Sequence, residues 1–187
     1  MNLLHRWYCK SDGWAQIVRE HMMPGVVGDN DLGDNVLEVG PGPGRTTDWL
    51  RERVPALTAV EIDPKLAAAL ASRFEGSNVQ IVEGDATDLP FPDASFTGAV
   101  SFTMLHHVPS PELQDKLFAE VGRVLRPGGL LLGSDSTPSL RWRLFHLFDT
   151  CVPVDPDELT ERLERAGFTD VEVGPAPDSF RFRARKP

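Results

Sequence analysis

The sequence VLEVGPGPGRTT, residues 36–47, decides the fold of this chain. Its first four residues are branched and aliphatic apart from one acid, which is typical of a buried parallel strand. Three glycines at alternate positions then interrupt the strand, and a helical pattern begins at Thr46. Glycine permits positive φ and lets a ligand approach the backbone where a Cβ would collide. A strand, a glycine loop and a helix in this order predict the start of a nucleotide-binding βαβ unit.

The spacing of the glycines indicates which ligand the loop holds. A dinucleotide fingerprint is G-x-G-x-x-G, whereas this loop is Gly40-x-Gly42-x-Gly44, and Arg45 stands where the fingerprint has its last glycine. Glu38 lies two positions before the first glycine. The pattern E-x-G-x-G-x-G resembles motif I of the class I S-adenosylmethionine (SAM)-dependent methyltransferases. The resemblance implies that Glu38 holds the methionine amino group of SAM.

The same resemblance assigns the rest of the loop. The glycines would admit the methionine and ribose portions of SAM. Arg45 and Thr46 would meet its carboxylate at the start of the following helix, where backbone N–H groups favour an anion.

Composition sets outer limits on function. A chain of 187 residues with 41% hydrophobic and 25% charged residues fits one globular domain with a sizeable core. The net charge of −9 argues against a nucleic-acid partner, because binding phosphates requires a basic face. No run of residues is long and apolar enough for a membrane anchor, and no signal peptide is recognisable. Cys9 and Cys151 form no redox or metal motif, so we expect free thiols in the cytoplasm.

Residues 1–33 precede the first strand and contain an aromatic and apolar cluster that predicts one or two short helices, namely Trp7, Tyr8, Trp14, Ile17, Val18 and Met22. Packing against the edge of the domain explains this cluster. In the resembled family the region often folds over the cofactor as a lid, which would make Tyr8 and Trp14 cofactor or substrate contacts. We therefore expect a helical lid over residues 1–33 and an α/β core over residues 34–187.

Two later loops extend the predicted cofactor site. Glu61 ends a second strand 17 positions after Gly44, close to where a βαβ unit places the acid that binds a ribose diol. Ile62 follows it and is included in the site. After a third strand, the segment GDATDLPF resembles the adenine-binding segment of the ubiquinone/menaquinone branch of the family. By that resemblance, Asp85 accepts from the adenine amine and the Ala86 N–H donates to a ring nitrogen.

The fourth strand and its loop bring the predicted site to the transferred methyl group. By resemblance, Ser101 and Phe102 lie along the methionine moiety of SAM, and the Leu-His-His-Val loop lies near its methyl. A neutral imidazole could take a proton from an acceptor, so His107, and less favourably His106, is a candidate catalytic base. The alternative is that one histidine packs under the loop and the other bonds the backbone. No third ligand stands at metal spacing, so no metal is expected.

The segment LRWRLFHLF, residues 140–148, alternates apolar and basic residues at roughly helical spacing. Core packing, a wall of the acceptor pocket, and a contact surface for a partner or membrane are all compatible with it. We favour a helix packed in the core with one side against the pocket, because a basic helix this short is a weak anchor on lipid.

Five βα units followed by a hairpin predict an α/β doubly wound sheet. The resemblance implies a Rossmann-like sheet of seven strands with an antiparallel C-terminal strand. It also implies a SAM-dependent methyltransferase with S-adenosylhomocysteine as product. We expect it to act on a small-molecule acceptor, with an apolar or aromatic one favoured by residues 140–148, as a monomer or homodimer. Two other classes stay open: a SAM-binding partner or regulatory protein without catalysis, and an NAD-dependent oxidoreductase, which Arg45 disfavours.

Overall fold

A computed structural model of the chain describes residues 8–139, 144, 146, 147 and 149–187. The described part contains one seven-stranded sheet in the order β3-β2-β1-β4-β5-β7-β6. All neighbouring pairs from β3 to β5 are parallel, and β7 is antiparallel to both β5 and β6. The strands are β1 Asn35–Val39, β2 Ala56–Glu61, β3 Val79–Glu83, β4 Phe96–Phe102, β5 Leu125–Ser136, β6 Thr169–Ala176 and β7 Ser179–Arg185. The predicted seven-stranded α/β fold with an antiparallel final strand is confirmed.

The helices begin where the sequence places capping residues. The Asp63 side chain accepts from the backbone N–H groups of the next helix, and Ser110 and Asp155 do the same further along. A proline follows each of these three caps, which suits the first helical position. The helices are α1 Asp12–Ile17, α2 Met23–Val26, α3 Arg45–Leu50, α4 Pro64–Arg73, α5 Pro111–Val124 and α6 Pro156–Arg165, with a π-helical turn Val18–Met22 between the first two.

Two apolar clusters sandwich the sheet. Leu37 and Val39 of β1 belong to one cluster together with residues of α5 and α6, such as Leu117 and Leu159. Val36, the alternate residue of β1, belongs to the other cluster, with the N-terminal helices and α3. Side chains of one strand point alternately to opposite faces, so both faces of β1 are covered. This burial fixes the register of β1 and therefore the position of the glycine loop at its end.

The structure differs from the sequence prediction at residues 126–129. The residues Arg126-Pro127-Gly128-Gly129 predict a turn that ends a helix before a strand at 130–133, but β5 begins directly after α5. Backbone bonds explain the extension, because Gly128 N–H donates to Lys186 O at 2.7 Å and Lys186 N–H donates to Gly129 O at 2.9 Å. Pairing with the end of β7 therefore keeps this glycine-rich segment in the sheet.

The segment before β1 forms the short helices that the sequence predicted as far as they are described. Trp7 and residues 140–143, 145 and 148 lie outside the described residues, so the predicted helix over 140–148 does too.

Among the described residues, no helix has the length and hydropathy needed to cross a membrane.

Candidate functional site

The carboxyl ends of β1, β2, β3 and β4 open into one cavity of about 390 Å³. Parallel strands of an open α/β sheet bind ligands at this edge. The sequence-predicted residues that line the cavity are Trp14, Gly40, Gly42, Arg45, Thr46, Glu61, Ile62, Asp85, Ala86, Phe102 and His107. Five of the predicted residues do not line it, namely Tyr8, Glu38, Gly44, Ser101 and His106. Loops that are far apart in sequence are thus brought together around one volume.

The three loop glycines serve different needs. All three have positive φ, at +68° for Gly40, +55° for Gly42 and +81° for Gly44. A Cβ at Gly40 would overlap the Met104 side chain, and a Cβ at Gly44 would overlap Leu70. A Cβ at Gly42 would meet no heavy atom within 4 Å, although Gly42 lines the cavity. Gly40 and Gly44 therefore permit close packing of the protein, whereas Gly42 leaves room for a ligand against its backbone.

Glu61 joins the second strand to the glycine loop. Its Oε2 accepts from the Gly42 N–H at 3.0 Å and its Oε1 from the Asp63 N–H at 3.0 Å. Burial raises the pKa of Glu61, and the two backbone N–H donors act in the opposite direction. The side chain is buried yet lines the cavity, so its carboxylate is fixed in place at the cavity wall.

Glu38 lies beneath the glycine loop. It is almost completely buried, and it accepts hydrogen bonds from the hydroxyls of Thr46 and, at 2.6 Å, Thr47. Burial raises the pKa of Glu38 to about 7 despite these two donors, with smaller contributions from Asp48 and Glu61. The carboxyl group thus ties β1 to the first turn of α3, and any contact with a ligand must pass through Thr46 or water.

Arg45 lines the cavity and also binds the N-terminal segment. Its guanidinium donates to the Lys10 carbonyl and lies 3.8 Å from the Asp12 carboxylate. From that segment, Cys9, Trp14 and Met22 line the cavity, while Tyr8 packs on Trp14 with 5.5 Å between ring centroids. Burial raises the pKa of the Cys9 thiol to about 11, so the thiol is protonated at neutral pH. The N-terminal segment therefore forms one wall of the cavity.

The loop after β3 contributes another part of the cavity wall. Asp85 is exposed and accepts from the Thr87 N–H at 2.8 Å through one carboxylate oxygen, which fixes the loop as a tight turn. Ala86 follows it at the cavity, and the Ile62 side chain is 67% exposed beside Glu61. An apolar side chain that exposed, next to an acid that lines a cavity, can cover one face of a planar ligand.

The two histidines of the loop after β4 have different surroundings. His106 is 2% exposed, and its Nδ1 lies 2.5 Å from Asp135 Oδ1. His107 lines the cavity, and its Nδ1 lies 3.1 Å from the backbone oxygen of Thr150. These contacts agree with the alternative interpretation of the sequence, in which one histidine packs under the loop and the other bonds the backbone. Only His107 faces the cavity.

Sequence reasoning missed Asp135 and His146. Asp135 ends the buried run of β5, which pairs in parallel with β4, so its position beside the histidine loop was recoverable from the strand order. His146 lies within a segment that the sequence left ambiguous, and its ring centroid is 4.9 Å from that of His106. One ring nitrogen from each of His106, His107 and His146 lies within 4.8 Å of the other two. The expectation of no metal rests on the lack of a third ligand at metal spacing along the sequence. In the folded chain, His146 supplies a third imidazole beside His106 and His107.

The fold and this site define an α/β protein with a cavity at the carboxyl edge of its sheet, where folds of this kind bind ligands, and His107 lines that cavity. A family model described as "Methyltransferase domain" matches residues 37–133, which include the glycine loop, Glu61, Asp85 and both histidines. The chain belongs to the class I SAM-dependent methyltransferase family. This assignment favours the methyltransferase over the NAD-dependent oxidoreductase, and the finer resemblance to the ubiquinone/menaquinone branch stays a prediction.

Individual relatives differ in what they act on. Erythromycin 3''-O-methyltransferase of Saccharopolyspora erythraea is 34% identical over 170 residues, covering 79% of this chain and 54% of the relative. A probable ribosomal RNA small subunit methyltransferase A of Natronomonas pharaonis is 40% identical over 83 residues, covering 42% of this chain and 30% of the relative. The chain spans about half the length of the first curated relatives it matches.

The fold is also found in a solved structure of low sequence identity. Phosphoethanolamine N-methyltransferase 2 of Haemonchus contortus, solved with phosphomonomethylethanolamine and S-adenosylhomocysteine, matches with a TM-score of 0.76 at 17% identity. The match covers 98% of this chain and 56% of the other. At this identity the likeness concerns the fold.

Proposed function

We propose that this protein transfers a methyl group from SAM to a small-molecule acceptor in the cavity at the carboxyl edge of the sheet. The observation that carries the proposal is the convergence of Gly42, Glu61, Ala86 and His107 on one cavity. The first three come from the loops that bind SAM in the resembled family, and the fourth supplies a group able to accept a proton.

The residues fit SAM on their chemistry. The Glu61 carboxylate is held by two backbone donors and can accept further hydrogen bonds from a ribose diol, since each of its oxygens has two lone pairs. The open position at the Cβ of Gly42 leaves room against the loop backbone. In this proposal Asp85 and Ala86, which line the cavity, meet an adenine edge, and Ile62 covers its face. SAM, when bound, supplies a methyl group on a positively charged sulfur that is already activated for transfer.

The residues of the chain then position the acceptor and remove its proton. Apolar side chains that line the cavity would exclude water from the acceptor, including Phe102, Met104, Val108, Leu113 and Leu117. Holding the acceptor in line with the methyl accounts for much of the rate in such reactions. The acceptor oxygen or nitrogen forms a bond to the methyl carbon as the carbon–sulfur bond breaks and its electron pair stays on sulfur. His107 is the group proposed to receive the proton of the acceptor, since it lines the cavity.

A small-molecule acceptor is favoured over RNA. The net charge is −9, and phosphate binding requires a basic surface. The Saccharopolyspora relative is named for an O-methylation of a small molecule, which supports a hydroxyl acceptor here. The relative named as a ribosomal RNA methyltransferase makes RNA fragments a necessary part of the acceptor screen.

The experiment is a methyl-transfer screen with labelled SAM against hydroxylated, amine and carboxylic small molecules and RNA fragments. We expect labelled product from a hydroxylated small molecule. With that acceptor, His107→Asn should lower kcat about 100-fold or more, the usual contribution of a general base, while the Kd for SAM stays unchanged. His21→Asn, a change at an exposed histidine of the N-terminal segment, is the matched control.

Two results would contradict the proposal. If SAM binds but no acceptor is methylated, the protein is a SAM-binding partner or regulator. If RNA alone is methylated, the small-molecule acceptor is wrong.

A further inference from the structure

Three imidazoles meet beside the acceptor end of the cavity. His106 and His107 follow β4, and His146 lies 39 or more positions further along the chain. The ring centroids are 4.2 Å apart for His106 and His107, 4.9 Å for His106 and His146, and 5.7 Å for His107 and His146. His106 and His146 are buried, and His107 is half-buried at the cavity. The methyl transfer proposed above requires at most one of these three side chains.

The hydrogen bonds of Nδ1 in His106 and in His107 determine which nitrogen of each ring carries the lone pair. His106 Nδ1 lies 2.5 Å from Asp135 Oδ1, and His107 Nδ1 lies 3.1 Å from Thr150 O. Both partners are acceptors, so each Nδ1 carries the proton and each Nε2 carries the lone pair. Metal-binding histidines show the same arrangement, in which one ring nitrogen donates to a carboxylate or a backbone carbonyl and the other binds the metal.

Asp135, whose carboxylate bonds His106, is itself fixed by burial and by hydrogen bonds to the backbone. It is completely buried in β5, and its two oxygens also accept from the backbone N–H groups of His106 at 3.2 Å and Ser136 at 2.6 Å. Its carboxylate therefore fixes both the backbone and the ring of His106. A buried carboxylate bonded to a histidine raises the basicity of the nitrogen that faces away from it.

We propose that His106, His107 and His146 bind a divalent transition-metal ion, with Zn²⁺ favoured, at the acceptor end of the cavity. Three histidine ligands with one open position are typical of a catalytic zinc site. Nitrogen ligands around tetrahedral Zn²⁺ lie roughly 3.3 Å apart, as Zn–N bonds of about 2.0–2.1 Å require. One ring nitrogen of each histidine lies within 4.8 Å of the other two, so the nitrogens need to approach one another by roughly 1.5 Å at most to reach this spacing.

His107 lines the cavity, so a metal ion bound to it would lie at the cavity wall. The role of the metal rests on the proposed function, although metal binding itself does not. A hydroxyl acceptor bound to the metal loses its proton to solvent more readily, and the oxygen then attacks the methyl carbon as described above. In the metal-loaded protein His107 is a ligand, and the metal takes over the activation of the acceptor.

The test is a titration of chelator-treated protein, without any affinity tag, with Zn²⁺ and Co²⁺ in a calorimeter. We expect one ion per chain with a Kd in the micromolar range or tighter, and nitrogen ligands at about 2.0–2.1 Å by X-ray absorption, without the sulfur distance of about 2.3 Å that Cys9 or Cys151 would give. His146→Ala should weaken Zn²⁺ binding about 100-fold or more. Asp135→Asn, which keeps the shape of the supporting side chain, should weaken it about 10- to 100-fold. His21→Ala, outside the cluster, should bind Zn²⁺ as the unchanged protein does.

Each outcome decides one question. Equal Zn²⁺ affinity in the unchanged protein and His146→Ala, or sulfur ligands in the unchanged protein, would overturn the proposed metal site. The X-ray absorption result does not depend on whether a variant folds. A SAM titration of the same samples separates this failure from a failure of the methyltransferase proposal, because SAM is expected to bind whether or not the metal does.

Discussion

Glu61→Ala is expected to weaken SAM binding about 100-fold or more. A hydrogen bond to a charged group contributes about 1.5–3 kcal/mol, and the proposed ribose contact includes two. The loss of about 3 kcal/mol corresponds to more than a factor of 100 in Kd. The change also removes the acceptor of the Gly42 N–H, which fixes the glycine loop against β2. Both effects act in the same direction, and calorimetric titration with SAM measures their sum.

Two further variants distinguish the loss of the ribose contact from the loss of the hydrogen bond to the glycine loop. Glu61→Gln keeps one acceptor oxygen for the Gly42 N–H, and we expect a smaller loss of about tenfold, roughly that of one hydrogen bond. Glu83→Ala is the matched control, because Glu83 pairs with Glu61 in register at the end of β3 but is exposed and does not line the cavity. An unchanged Kd in Glu61→Ala would show that the ribose assignment is wrong.

The second large effect is a loss of stability as pH rises, caused by Glu38. The pKa of Glu38 is raised from 4.5 to about 7 in the folded protein, mainly by burial. The folded state therefore holds a proton that the unfolded state releases between these values. Stability from this group is fully present below about pH 4.5 and is lost as pH rises through 7. From pH 5 to pH 8 the loss is about 2–3 kcal/mol.

Glu38→Gln isolates this contribution. Glutamine is uncharged at every pH and keeps the shape of the side chain, and the Thr46 and Thr47 hydroxyls can donate to its oxygen or accept from its amide. Denaturant unfolding at pH 5 and pH 8 should show that the variant gains about 2–3 kcal/mol relative to the unchanged protein on going to the higher pH. The exposed change Glu83→Gln should show no such gain. A variant that follows the unchanged protein in parallel would mean that Glu38 is ionised throughout this range.

The fold was predictable from sequence because local signals agreed with one another. The apolar run 36–39, the three glycines and the proline-flanked caps at Asp63, Ser110 and Asp155 each determine their own local structure. The errors occurred where a distant strand decides the outcome. Gly128 and Gly129 predict a turn by composition, but bonds to Lys186 keep them in the sheet.

The candidate site was predictable where one loop supplies the group and not where two segments must meet. Gly42 follows β1, Glu61 ends β2 and Ala86 follows β3, so each was predicted from its own segment of the chain, Ala86 through the resemblance of that segment to an adenine-binding one. Glu38 was found as well, but its burial beneath Thr46 and Thr47 depends on how α3 packs. The approach of His146 to the histidine loop results from tertiary packing, which spacing along the chain does not report.

The most direct measurement of the central claim is parallel calorimetric titration of the purified protein with SAM, S-adenosylhomocysteine and NADH. Gly40-x-Gly42-x-Gly44 followed by Arg45, together with the fixed Glu61 carboxylate, predicts micromolar binding of both adenosyl compounds and none of NADH. Binding of NADH with no binding of SAM would contradict the account.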